Sequence, residues 1–316
     1  MPSFPDPSRR SVLASAGGLT LGSALLSGAV QPASANTALA AVRHSTFQLG
    51  AFEVTTLLDA SRTVTDPQTI FAMNVTPEEF ASVSAANFIP SDQTRFFFTP
   101  TLVKTETDVV LFDTGSGGDD GQLVEVMAEA GYAPDDVTIV VVTHMHPDHI
   151  GGLMQAGAPT FPSAAYVTGS AEYNFFTSDN APERLAGMVS NMVVPLAERM
   201  TFLDDGGSVT GGITAVAAFG HTPGHMTYRI ESQGQQLHLI IDLANHYVWS
   251  LAYPDWEVRF DADKAAAATV RRNILGMIAA DKIPFIGYHM PFPSVGFIEA
   301  NGDGFRYVPE TYQFSL

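Results

Sequence analysis

A chain of 316 residues, 46% of them apolar, can bury a sizeable core and is too apolar to stay disordered. It contains no cysteine, which excludes disulfides, thiolate zinc sites, iron–sulfur clusters and a cysteine nucleophile, so any metal must be held by histidine and carboxylate. The 15 basic residues are outnumbered by 33 acidic ones, a net charge of −18 that repels phosphate backbones and anionic membranes.

In chain order, Ser8-Arg9-Arg10-Ser11 comes first, followed by a weakly apolar stretch at 12–30 interrupted by Gly17, Gly18, Gly22 and Gly28. This reads as a twin-arginine export leader rather than an anchor, and Ala33-Ser34-Ala35 supplies a small-residue cleavage motif. Residues 1–35 are therefore expected to be removed. That leaves 36–316 as a periplasmic or secreted domain with no membrane attachment. Beyond the leader, Leu102-Val103 and 109–112 read as strands, the second ending at Asp113-Thr114-Gly115. Apolar residues at 123, 126, 127 and 130 have helical spacing, which Gly131 stops. The run 137–142 is too apolar to alternate and reads as a strand buried on both faces. A short strand at 164–168 and a helix over 183–199 follow. Further strands are expected at 213–219, 226–230, 237–241 and 283–288, with a long helix at 262–280 capped by Asp261. Strands and helices mixed in this way imply sheets covered by helices, an α/β layered domain.

Directly after the 137–142 strand stands Thr143-His144-Met145-His146-Pro147-Asp148-His149. In extended chain, residues two apart point the same way, so His144 and His146 can share one ion. Pro147 suits the first turn of a helix. The chain then changes direction, and Asp148 and His149 face a second ion. Further metal-capable residues lie at strand ends: His221 and His225 in Gly220-His221-Thr222-Pro223-Gly224-His225, Asp242 after 237–241, and His289 after 283–288.

The ordered set HxHxDH…H…D…H resembles the metallo-β-lactamase superfamily from about residue 45 onward. THMHPDHIGGLM, GHTPGHMTY, ESQGQQL and the tail GFRYVPETY bring it nearest to the methyl parathion hydrolase branch and its lactonase relatives. The resemblance implies an αββα sandwich with two divalent metals at its edge: zinc by default, with manganese, cobalt or iron accepted by the same donors. It places His144, His146 and His225 on the first ion and Asp148, His149 and His289 on the second, with Asp242 bridging both. By the same analogy Asp113 braces the metal loop and His221 supports the ligands from behind. One departure stands out: Ile241 precedes Asp242 where the family usually has glycine. The resemblance also implies a homodimer.

Two ions about 3.5–4 Å apart can share a water, lower its pKa towards roughly 7 and turn it into the nucleophile. Asp148 is then the catalytic residue, orienting that nucleophile and carrying a proton to the leaving oxygen. By resemblance, aromatic residues line an apolar entrance. The candidates are Phe97, Phe176, His246 and Trp249. The expected substrate is a small, neutral, hydrophobic lactone or aryl ester, of the quorum-quenching or aromatic type. Phosphotriester hydrolysis of the methyl parathion hydrolase type is the alternative. A diiron redox protein on the same fold is the reading from a different class, disfavoured because such proteins usually replace a loop histidine with glutamate and add a flavin domain. Cysteine-dependent β-lactamases are excluded by composition. A glyoxalase-II-like thioesterase would need a basic helical extension that does not follow His289.

Overall fold

The apolar run after Thr138 forms the strand Ile139–Val142, whose Val140, Val141 and Val142 are fully buried. It lies inside a seven-stranded sheet, between parallel neighbours Val109–Phe112 and Ala165–Gly169. A parallel strand must be covered on both faces, and this one is. On its inner face Val141 joins Val54, Val103, Phe112 and Val167 against Ile213, Tyr228, Leu239 and Ile286 of a second seven-stranded sheet. On its outer face Val140 and Val142 pack with Val126 and Met127 of helix Leu123–Glu129 and with Leu185 and Val189 of helix Glu183–Met192. The outer face of the second sheet is covered by helix Lys264–Asp281 through Ile274, Leu275 and Ile278, which meet Ile240, Phe285 and Ile298. The layers therefore run helix, sheet, sheet, helix, as the αββα expectation requires.

This computed structural model describes residues 42–311 and 314; the leader and cleavage motif expected at 1–35 lie outside them. Among the described residues no helix is long and apolar enough to cross a membrane.

Two local expectations need correction, and one strand joins the expected set. The helix expected over 183–199 ends at Met192 and continues as the 3-10 turn Val194–Arg199, because Pro195 lacks an N–H and restricts the residue before it. The long helix is capped by Asp263, whose Oδ1 accepts from the Ala266 amide at 2.9 Å, rather than by Asp261. The phenylalanines at 96–98 belong to a strand of their own, Gln93–Phe98, paired antiparallel with Ala60–Thr65.

The loops at one edge of the sandwich carry the metal-capable side chains. One contact there decides how closely they approach. A Cβ on Gly224 would lie 2.0 Å from the backbone nitrogen of Glu172, inside helix Ser170–Phe176. Only glycine lets the 220–225 loop lie this close to that helix. Gly224→Ala is expected to lower stability by about 3 kcal/mol, at the upper end of overpacking penalties, as read from urea unfolding. A loss below about 0.5 kcal/mol would show that the contact relaxes freely.

Candidate metal centre

The loop after Ile139–Val142 is held from below by one carboxylate. Asp113 is fully buried at the end of strand Val109–Phe112, and it accepts from the Thr143 amide at 2.9 Å, the Thr143 hydroxyl at 2.8 Å and His149 Nδ1 at 2.7 Å. Burial raises its pKa, while His149 and Thr143 pull in the opposite direction. With Nδ1 committed to Asp113, His149 must turn Nε2 outward. Pro147 opens the short helix Pro147–Ile150, which reverses the chain between His146 and His149.

Two donor groups result. His144, His146, His221 and Asp242 form one, and Asp148, His149 and His289 the other. In the first, His146 Nδ1 lies 3.1 Å from His144 Nε2 and 3.0 Å from His221 Nε2, and Asp242 Oδ2 lies 3.2 Å from His221 Nε2. In the second, Asp148 Oδ2 is 3.5 Å from both His149 Nε2 and His289 Nε2. Asp242 reaches this group too, with Oδ1 3.4 Å from His149 Nε2 and Oδ2 3.2 Å from His289 Nε2. Its carboxylate thus faces both groups.

Hydrogen bonding alone does not account for these contacts. Three imidazole nitrogens crowd one point, where neutral rings can satisfy only some of the pairs. A four-coordinate ion with bonds of about 2.0–2.1 Å sets its ligands roughly 3.3 Å apart, close to the spacing seen. His149 Nε2 and Asp242 Oδ1 are buried with no hydrogen-bond partner, as expected of atoms whose partner is a cation. The electrostatics agree. Burial opposes charge on His149 and His221, yet Asp242 and other carboxylates override it, raising His149 well above its usual value and His221 to about 9. Burial, reinforced by neighbouring rings, holds His144 and His146 well below the usual range. The donor set therefore fits divalent metal held by nitrogen and oxygen.

One residue expected on the first ion is not in that group. Both nitrogens of His225 serve the backbone: Nδ1 donates to Ala218 O at 3.1 Å, and Nε2 accepts from the Asp242 amide at 3.3 Å. Burial lowers its pKa to about 3, so it stays neutral and ties two site loops together. His221, expected behind the ligands, stands in the first donor group instead. Its Nδ1 is turned to Asp261 Oδ1 at 3.0 Å, which leaves Nε2 for the centre. Asp261 is in turn paired with the buried Arg271 at 2.8 Å.

Several supporting residues escape a reading of the sequence. Glu172, fully buried, accepts from the Met145 amide at 2.8 Å, the Thr222 hydroxyl at 2.7 Å and the Gly224 amide at 2.9 Å, and so clamps the two histidine loops together. Burial raises its pKa to about 7. Phe97 O accepts from His289 Nδ1 at 2.8 Å, and Tyr288 donates to Asp148 O at 2.5 Å. Asn245 Nδ2 donates to Asp242 Oδ2 at 2.9 Å. No sequence signal marked Glu172, which sits in a helix that also carries Ser170 and Asn174, and none marked the backbone contacts. Ile241 keeps the left-handed conformation that glycine favours, with φ of 53°, while its side chain is buried between the sheets. Burial of that side chain offsets a backbone cost of about 1–2 kcal/mol.

Beside the donors lies a cleft of about 460 Å³, lined in part by Val64, Ile70, Phe96, Phe98 and Phe260 together with His146, Asp148, Asp242 and His289. None of the four expected pocket residues lines it. Strand alternation turns Phe97 away and presents Phe96 and Phe98, which meet His289 edge-on at 5.5 and 5.4 Å. Phe176 is only 4% exposed and packs in the core beneath the first sheet. His246 caps the π-helical turn Tyr247–Ala252 and stacks on Trp249, which is itself buried against Phe71 and Phe80.

Residues 99–272 match the model of the metallo-beta-lactamase superfamily. The chain belongs to that superfamily. The fold is likewise shared with AidC, a dizinc quorum-quenching lactonase solved in complex with a product, N-hexnoyl-L-homoserine. That likeness has a TM-score of 0.80 at 26% identity and covers 85% of this chain and 98% of that one. A second solved structure, the hydrolase AbOPH in the beta lactamase superfamily, gives a TM-score of 0.78 at 21% identity over 86% and 98% of the two chains, a likeness of fold. An N-acyl homoserine lactonase of Bacillus sp is 25% identical over 115 residues, 36% of this chain and 41% of that protein. Metallo-beta-lactamase domain-containing protein 1 of Mus musculus is 48% identical over 58 residues, 18% of this chain and 20% of that protein. Those curated relatives are thus matched over less than half of their length. The metal-capable histidines and aspartates described above lie on a metal-dependent hydrolase fold.

Proposed function

We propose that this chain hydrolyses carboxylic esters, lactones foremost, with two divalent metals bound between the donor groups. Zinc is the first candidate. The observation that carries the reading is Asp242, whose carboxylate faces both donor groups at the foot of a cleft with an apolar wall. The lactonase neighbours support the substrate class. Bound divalent metal supplies a water acidic enough to attack near neutrality and a Lewis acid for the carbonyl oxygen.

The chain's own residues do the rest. His144, His146 and His221 would hold one ion and His149, His289 and Asp148 the other, with Asp242 shared. Asp113, Phe97 O and Asp261 each engage the second nitrogen of a donor histidine and so set its tautomer. Asp148 has a side chain one-quarter exposed at the cleft, which lets it touch both donors and substrate. It orients the attacking water and hands a proton to the leaving oxygen. The apolar wall formed by Phe96, Phe98 and Ile70 receives the substrate's hydrocarbon part and excludes bulk water. Export by the Arg9-Arg10 leader to the periplasm or medium, and a homodimer, complete the proposal.

The test is a hydrolysis panel on metal-loaded protein: an acyl-homoserine lactone, dihydrocoumarin, p-nitrophenyl acetate and methyl parathion, with metal content measured in parallel. Two equivalents of metal, loss of activity on chelation and highest kcat/KM on a lactone are expected. Dominant turnover of methyl parathion would replace the lactonase reading with a phosphotriesterase one. A coloured, redox-active iron form without hydrolysis would overturn both.

A further inference from the structure

The same cleft carries three arginines, Arg62, Arg184 and Arg259, in a chain whose acidic residues outnumber its basic ones by more than two to one. Its acids are Asp120, Asp148 and Asp242. Each of these has a partner already: Arg62 pairs with Asp120 at 3.1 Å, while Asp148 and Asp242 belong to the donor groups. Elsewhere Arg43, Arg271, Arg272 and Arg306 each hold a carboxylate, Arg199 bonds the Pro162 and Ala164 carbonyls, and Arg95 and Arg229 lie outside the cleft with no ion pair among the described residues. Among the described residues Arg184 and Arg259 make neither an ion pair nor a side-chain hydrogen bond. Arg259 lies over the Phe260 ring at 5.1 Å. Such stacking uses the face of the guanidinium and leaves its in-plane donors available. Two cations without counter-ions therefore flank the cleft that opens on the donor groups, with apolar wall beside them.

We infer that the cleft prefers esters or lactones bearing a carboxylate beyond their apolar portion, with Arg184 and Arg259 receiving it. This deepens the hydrolase reading and rests on it. The overall charge of −18 would repel such a substrate; the two arginines supply positive charge at the cleft it must enter. Planar, bidentate pairing with a carboxylate is what a guanidinium does best. The preference also departs from the neutral substrate expected from the sequence.

The test measures binding separately from turnover. Calorimetry on the metal-loaded full chain compares 4-acetamidobenzoate with acetanilide, which differ by one carboxylate, in wild type and in the Arg184→Gln/Arg259→Gln variant. Hydrolysis of 4-acetoxybenzoate and phenyl acetate is followed alongside. Wild type is expected to bind the carboxylate member roughly tenfold or more tightly, an advantage that shrinks with added salt and disappears in the double variant. An advantage that survives in the double variant would place the carboxylate on the metals and overturn the inference. So would equal affinity, or no measurable binding of the carboxylate member. A binding preference without hydrolysis of either ester would instead overturn the hydrolase reading and leave the arginine preference standing.

Discussion

His221→Ala is expected to weaken divalent metal binding more than about 100-fold and to remove hydrolysis with it, whereas His225→Ala leaves metal binding within about tenfold of wild type. Substitutions behind metal ligands usually cost 10–100-fold in affinity, so loss of a ligand should exceed that range. His221 sends Nε2 to the centre, 3.0 Å from His146 Nδ1 and 3.2 Å from Asp242 Oδ2. His225 has neither nitrogen to spare. Its removal leaves the buried Ala218 carbonyl and Asp242 amide without partners, which costs about 2–6 kcal/mol of stability at the usual 1–3 for each buried group. Chelator competition reads the first effect and urea unfolding the second. If the two substitutions exchanged roles, with His225→Ala stripping the metal and His221→Ala sparing it, this assignment of the donors would fail.

Asp148→Asn is expected to reduce kcat by about 10²–10⁴, the usual contribution of a positioned proton-transfer group. Asparagine keeps the shape and can still offer an oxygen, but it can neither take up nor release the proton. Asp148 also contacts His149 and His289. Metal content must therefore be measured on the same preparation, and kcat compared at saturating metal. The backbone around it should survive, since Tyr288 holds the Asp148 carbonyl rather than its side chain. A fall of less than tenfold at full metal occupancy would remove Asp148 from proton transfer and leave it a ligand alone.

How far the site could be read in advance follows from what each signal encodes. THMHPDH was legible because the information is local. The buried strand before it, the two-residue spacing of His144 and His146 and the helix-starting Pro147 all act within a few residues, and the structure contains each of them. Asp242 and His289 were legible as polar residues closing apolar runs. GHTPGH was different. Both of its histidines sit in one loop at a strand end, and spacing does not say which ring faces outward. Asp261, forty positions away, decides this by taking Nδ1 of His221, while Ala218 O and the Asp242 amide occupy His225. Phe97 failed as a pocket residue for a related reason. Alternation shows that Phe96 and Phe98 share a face, but only pairing with Ala60–Thr65 selects which face meets the cleft.

The amino-acid sequence by itself determined the layered class, the metal-capable loop and the chemical nature of its donors, because these depend on residue type and on periodicity over a handful of positions. Tertiary structure alone decided which imidazole of GHTPGH turns inward, that Glu172 clamps the two histidine loops, and that unpaired Arg184 and Arg259 stand at the mouth of the cleft. Those outcomes depend on which buried polar atoms find partners once distant segments meet, and no local pattern along the chain records that.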